Sequence, residues 1–209
     1  GPYWTYKHPT VGDAFSAYLA GSQELIELYL RGARAETILF EVVCAGEQVQ
    51  GAPLVVTAAL NELLVARIQN VEATSLRVFM SYRSNRVVNE MLIARRPDVL
   101  KGFSHFTSPI SEDQDASLLS KLHRQGLLSE EHRGNFVKSV MDALVEEADS
   151  SFLDGPYLDE ILSEAEMVDF INTARTQVLP NIDTYVDNRA SAWDHEYHPE
   201  DHFEQLENS

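Results

Sequence analysis

The sequence predicts an all-α fold: a multi-helix bundle, with at most a short extended segment near residues 53–56. Three observations predict it. Apolar residues recur three and four positions apart in window after window of the 209 residues, which is the spacing of one helix face. Ser or Thr repeatedly stands just before such a window, where its side chain can accept the free N–H groups of a first turn. Only Leu54-Val55-Val56 carries a strand-like run.

The elements follow in order. Ala14, Tyr18 and Leu19 form a first apolar stripe that ends at Gly21. Ser22 is placed to cap a helix over Gln23 to Leu30, with Leu25, Ile26, Tyr29 and Leu30 on its inner face and Gly32 closing it. A third helix is expected from Ala35 to Val43, burying Ile38, Leu39, Val42 and Val43. Gly46 to Pro53 reads as a loop, and Thr57 as the cap of a helix carrying Leu60, Leu63, Leu64 and Ile68. Leu76, Phe79 and Met80 mark a short helix. Ser84 reads as the cap of the next, whose inner face is Val87, Val88, Met91 and Leu92 before Pro97.

The polar, proline-containing stretch from Thr107 to Ser117 is the expected boundary. It divides an N-terminal helical subdomain (1–107) from a C-terminal one (108–192), which an acidic, histidine-containing tail (193–209) follows. In the second subdomain Leu118, Leu119 and Leu122 define a short helix ending at Gly126. Ser129, with Glu130 and Glu131 in its first turn, opens a longer one. The face expected to be buried there is Phe136, Val137, Val140, Met141, Leu144 and Val145. Ser163-Glu164-Ala165-Glu166 matches a capping box. Its helix should bury Met167, Phe170, Ile171, Ala174 and Val178, until Pro180 kinks or restarts it toward Ala190. A faint echo links His8–Leu30 with Ser81–Phe103, each a helix, a polar corner and a second helix, and suggests a solenoid-like stack of helical hairpins.

Composition narrows the function. No apolar run approaches the roughly 20 residues that span a bilayer, and the N-terminus carries no basic-then-apolar secretory signal. Gly1-Pro2 reads as the scar of a cleaved tag, and the chain as an excised fragment. The lone Cys44, in an apolar setting, can form neither an internal disulfide nor a cysteine-based zinc site; a cytoplasmic setting is expected. Net charge is −17 and uneven. Residues 1–140 carry 14 Lys/Arg against 15 Asp/Glu, whereas residues 141–209 carry Arg175 and Arg189 against 18 acids. Such a field repels nucleic acid and anionic membranes, so neither is an expected partner. It suits a basic partner or upstream domains of the same parent chain.

The chemistry of common enzymes is not written here. The chain holds no Gly-x-x-x-x-Gly-Lys-Ser/Thr loop and no Rossmann glycine fingerprint. Gly102-Phe103-Ser104-His105-Phe106 lacks the second glycine of a nucleophile elbow. His195, His198 and His202, flanked by Asp194, Glu196 and Asp201, have ligand-like spacing, but Pro199 breaks the helix that would align them; no metal or cofactor is assigned. The acids of Ser111 to Asp115 lack the glycine and distal glutamate of a calcium loop and suit a helix start. Arg83, Arg86, Arg95 and Arg96, near Lys101, are the basic concentration and the candidate binding residues: guanidiniums can hold a phosphate or an acidic peptide, or pair with the acidic half.

One set of residues carries a resemblance. Trp4-Thr5-Tyr6-Lys7-His8-Pro9-Thr10-Val11-Gly12-Asp13-Ala14, then Leu25-Ile26-Glu27-Leu28-Tyr29-Leu30-Arg31-Gly32-Ala33 and Arg96-Pro97-Asp98-Val99-Leu100, resemble the junction where the winged helix of bacterial STAND-type P-loop NTPases gives way to a C-terminal helical region. The resemblance covers residues 4–107. It implies a parent with an effector and an ATPase outside this chain, and a sensor role in antiviral defence. The chain itself would be non-catalytic. Its partners would be a protein ligand, of phage origin among such sensors, and the parent's own upstream domains. The alternative is a structural autoinhibitory or oligomerisation module acting through the acidic half.

Overall fold

The computed structural model describes residues 18–19, 22–47, 54–103, 106, 109–155 and 157–191, and it is predominantly helical. Local signals set most helix starts. Helix α1 (Gln23–Gly32) begins where the Ser22 side chain accepts from the Leu25 N–H. Its C-terminal carbonyls are held from outside: Arg67 Nε donates to Leu30 O at 2.9 Å and Nη2 to Ala33 O at 2.7 Å.

Helix α2 (Ala35–Glu41) is shorter than expected. Val42 and Val43 belong instead to strand β1 (Val42–Cys44), which pairs in parallel with β2 (Leu54–Val56) in the register Val42↔Leu54, Val43↔Val55, Cys44↔Val56. The helix expected through Val43 is corrected for a physical reason. Two β-branched residues facing a second valine-rich run gain ladder hydrogen bonds, and β-branching disfavours the helix. All three β1 residues are buried, whereas Val55 at the middle of β2 is exposed, and Cys44 N–H donates to Arg83 O at 2.8 Å.

Helices α3 (Asn61–Ile68), α4 (Ala73–Tyr82) and α5 (Arg86–Arg95) complete the first layer. Two expected caps are corrected. Thr57 makes no side-chain cap; a 3-10 turn, Ala58–Leu60, leads into α3 instead. Asn85, not Ser84, caps α5 by accepting from Val88 N–H. Ser84 is buried and donates inward to Met80 O at 2.9 Å and to Asn89 Oδ1. Asn89 thus takes the inner face of α5 beside Val88 and Leu92, and Val87 is turned outward, 51% exposed.

Helix α6 (Gln114–Arg124) starts at Asp113, whose Oδ1 accepts from Asp115 N–H and Ala116 N–H. A left-handed Gly126 (φ 68°) turns the chain toward α7 (Glu130–Glu147), capped by Ser129. Its expected face is buried at Phe136, Val137, Val140 and Leu144, while Val145 lies outside. Helix α8 (Glu164–Thr173) carries the complete capping box. It runs without a break through a π-turn (Ala174–Val178) and a 3-10 turn containing Pro180 into α9 (Ile182–Ser191).

Two apolar cores result. The first gathers β1, β2 and α1–α5 around Leu30, Ile38, Leu64, Ile68, Phe79 and Leu92. The second is a row of aromatic rings: Phe106 packs edge-on to Phe136 (4.9 Å between centroids), Phe152 tilts against Phe136 at 6.4 Å, and Phe170 follows at 5.8 Å. Helix α6 serves both. Leu118 and Leu122 belong to the first core, Ala116 and Leu119 to the second.

Beside α6, Arg77 of α4 clamps the junction. It donates to Val99 O at 2.9 Å, to Lys101 O and to Asp115 Oδ2 at 2.7 Å, and lies over the Phe103 ring at 4.4 Å. Arg77→Met keeps the aliphatic stem but strands these acceptors. We expect it to lower unfolding free energy by about 1–3 kcal/mol, read as a lower urea midpoint at unchanged slope. An unchanged midpoint would show that the clamp contributes nothing.

Arg133 provides a second clamp. It reaches Glu166 at 2.8 and 3.2 Å, Ile161 O at 3.1 Å and Glu130 at 2.9 Å. The Arg133 hydrogen bonds, then those from the Ser163 N–H and hydroxyl, hold the Glu166 carboxyl down to about 2. A depressed carboxylate stabilises the fold above its unfolded value of about 4.3 and loses that contribution as pH falls through its folded value. Glu166→Gln should therefore flatten the stability profile between about pH 4.3 and pH 2, measured by urea melts at stepped pH. A slope equal to that of the native chain would rule the link out.

Candidate functional site

The basic residues singled out by sequence point to separate neighbours and share no acceptor. Arg96 is structural: Nη1 donates to Gln69 O at 2.5 Å and Val71 O at 3.1 Å, closing the end of α3, and its other nitrogens grip Asp98. Arg95 pairs with Glu62 at 2.5 Å, and Arg86 donates to Gln125 O at 2.8 Å. Arg83 lines a small apolar notch of about 110 Å³ with Leu39, Phe40 and Phe79; its Nη1 is buried without a hydrogen-bond partner. Lys101 contributes its carbonyl to the Arg77 clamp. Of the motifs quoted for the family resemblance, Leu25–Ala33 forms most of α1, and Pro97–Leu100 forms a 3-10 turn. Residues 4–14 lie outside the described residues, as do Ser104, His105, His195, His198 and His202.

The described residues hold no group of three or more His, Cys, Asp or Glu able to bind a metal ion. The acids of Ser111 to Asp115 work locally: Asp113 caps α6, and Asp115 pairs with Arg77. Burial raises the Asp115 carboxyl despite that guanidinium. Cys44, Glu47 and Lys121 meet at the edge of the first core. Lys121 Nζ lies 3.1 Å from Glu47, and burial lowers its amine while the Glu47 carboxylate offsets part of that. Burial pushes the Cys44 thiol up to about 11. A thiol so placed is protonated at neutral pH, its less nucleophilic form.

What the sequence reading missed lies on α8 and α9. It took one apolar face for this helix, yet there are two. Phe170 and Val178 are buried, with Met167, Ala174 and Tyr185 packed beside them. One residue further round, Val168, Ile171, Leu179, Ile182 and Val186 are exposed at 54%, 46%, 60%, 42% and 59%.

The π-turn keeps the two faces in phase. Eight residues of a regular α-helix overshoot two turns by about 80°, but the wider π-turn absorbs the extra residue. Phe170 and Val178, eight apart, both stay on the core. Ile171 and Leu179, also eight apart, both stay outside it. The signal was present in the sequence as a second apolar set displaced by one position, and the proline and the π-turn between its halves disguised its period.

The exposed seam has an acidic border. Asp169, Asp183 and Asp187 each directly follow a seam residue and are exposed. Residues 141–191 carry 12 Asp/Glu against Arg175 and Arg189. Nearby, Glu146 and Glu147 at the end of α7 line two shallow depressions of about 240 Å³ each, one with Phe106 and Asp142, the other with Tyr185 and Asn188. These carboxylates stand at the negative end of the helix dipole, with no basic residue in the last turn. The arrangement offers an elongated apolar strip under a negative field. None of the described helices is long and apolar enough to cross a membrane.

Comparison with protein-family models, curated proteins and solved structures returned no match. Cys44 offers a direct check of its reading: a thiol-reactive chromophore at pH 8 should leave it unmodified in the native chain and titrate one thiol after denaturation. Rapid labelling of the folded protein would overturn its assignment to the core.

Proposed function

We propose that this chain is a non-catalytic protein-interaction domain. In this reading it is the sensor part of a bacterial antiviral STAND-type NTPase, and it relays ligand recognition to ATPase and effector domains outside the chain. The observation that carries the interaction role is the exposed seam on α8 and α9. Single apolar residues on a surface need no explanation, whereas five on one line support a reading of this face as a contact surface. The parentage rests on the motifs near the N-terminus, which resemble the winged-helix junction of those NTPases. A cytoplasmic setting goes with that parentage.

A second reading is favoured by the charge asymmetry. An acidic C-terminal half next to a nearly balanced remainder suits a regulatory module that holds its parent's basic surfaces in an inactive arrangement, through contacts that salt weakens.

Both readings are tested by using the chain as bait in lysates of infected and uninfected bacteria, with Ile171→Asn/Leu179→Asn as the control. We expect a phage-encoded protein to be retained by the native chain and lost with the control, which identifies a sensor. Salt-sensitive capture of a host ATPase region supports the autoinhibitory module instead. Retention of nothing in either lysate would sink the interaction reading.

A further inference from the structure

We propose that the α8–α9 seam docks a basic amphipathic helix of a partner protein. The inference rests on the reading of the chain as an interaction module and specifies the partner's chemistry.

Three features lead to it. The first is length. Val168 to Val186 covers 18 residue steps, roughly 27 Å of helix at about 1.5 Å per residue, which matches five turns of a docked helix. The second is pattern. The seam residues return on one side at intervals of three, eight, three and four, the spacing that receives another helix's apolar stripe in helix-on-helix recognition. Exposed Arg175 stands midway along it, so an acidic residue at the centre of the incoming helix would fit best.

The third is charge. Asp169, Asp183 and Asp187 line one border and are exposed. A helix with Lys or Arg flanking its apolar stripe pairs with that border. A second copy of this chain would set the same carboxylates against each other, and like charges across an interface disfavour the wrong partner. The same border repels an anionic lipid surface. The occupant that satisfies both the apolar strip and its acidic edge is therefore a cationic helix.

The test uses two fluorescent 18-residue helical peptides of identical leucine pattern, one carrying lysine and one glutamate at every polar position. Anisotropy titrations use the full chain and three variants. Ile171→Asn/Leu179→Asn removes the seam, Asp169→Asn/Asp183→Asn/Asp187→Asn removes its border, and Glu24→Gln/Glu36→Gln changes acids on α1 and α2. All substituted positions are exposed or half-buried, and thermal melts verify that each variant folds.

The lysine peptide is expected to bind and the glutamate peptide not to. The seam variant should weaken binding roughly tenfold or more, the border variant should reduce both affinity and its salt dependence, and the α1/α2 variant should change neither. Equal weakening by all three variants, or none by the seam variant, would overturn the proposal, because binding would then follow net charge alone. Seam-dependent dimerisation of the free chain in sedimentation would overturn it too, by naming a second copy as the occupant. Either failure leaves the interaction reading to the lysate capture, which fails only if nothing is retained there.

Discussion

The structure depends on helix α6 being buried on nearly every side. Ala116, Leu118, Leu119 and Leu122 have no exposed surface, and they divide between two cores. With apolar groups required in two directions, little of an eleven-residue helix is left for solvent, and even Ser120 and Lys121 are buried. Each polar group must then find a partner, since burying one unpaired costs more than the net gain of a typical hydrogen bond. Ser120 donates to Tyr157 O at 2.9 Å, Lys121 meets Glu47, and Asp115 meets Arg77. The acceptor at Tyr157 comes at a conformational cost of about 1–3 kcal/mol, because that residue sits at φ 63°. The Arg124 guanidinium stacked 3.9 Å over its ring helps hold it there.

Arginine use follows from the same geometry. Arg67 and Arg96 close the carbonyl ends of α1 and α3, Arg77 ties the stretch 99–103 to Asp115 of α6, and Arg133 ties α7 to the start of α8. A planar guanidinium can satisfy several acceptors at once, which a lysine amine does less well. Much of the positive charge among the described residues is thereby engaged in internal contacts, while residues 141–191 carry 12 Asp/Glu against Arg175 and Arg189. An uneven charge count in the sequence becomes a negative surface at one end of the fold.

Legibility in the sequence divided by range. The Ser163–Glu166 capping box and the Ser22 and Ser129 caps are contacts within one turn, and the residues alone located them. The end of α2 was not legible, because Val42 and Val43 leave the helix only when Leu54–Val56 is available beside them. Ser84 looked like a cap because Ser is a good one; the buried Asn89 draws its hydroxyl inward, and Asn85 takes the role. The candidate arginines show the same dependence on long-range contacts. Arginines clustered in sequence at 83–96 suggested a binding patch, yet three of the four reach different neighbours across the fold.

The seam on α8 and α9 separates two explanations of the acidic half. If those acids served solubility alone, the surface they cover would have no reason to keep five branched apolar residues in line, since a polar residue at each would serve solubility better. If the strip were an unfilled part of the core, Ile171 and Leu179 would not hold their outward phase through a π-turn that also keeps Phe170 and Val178 inward. The helix is built to present two apolar faces across an irregular turn, only one of them packed within the described fold. Apolar surface of that length, bordered by carboxylates, combines burial with charge selection, and both act together when another helix lies along it.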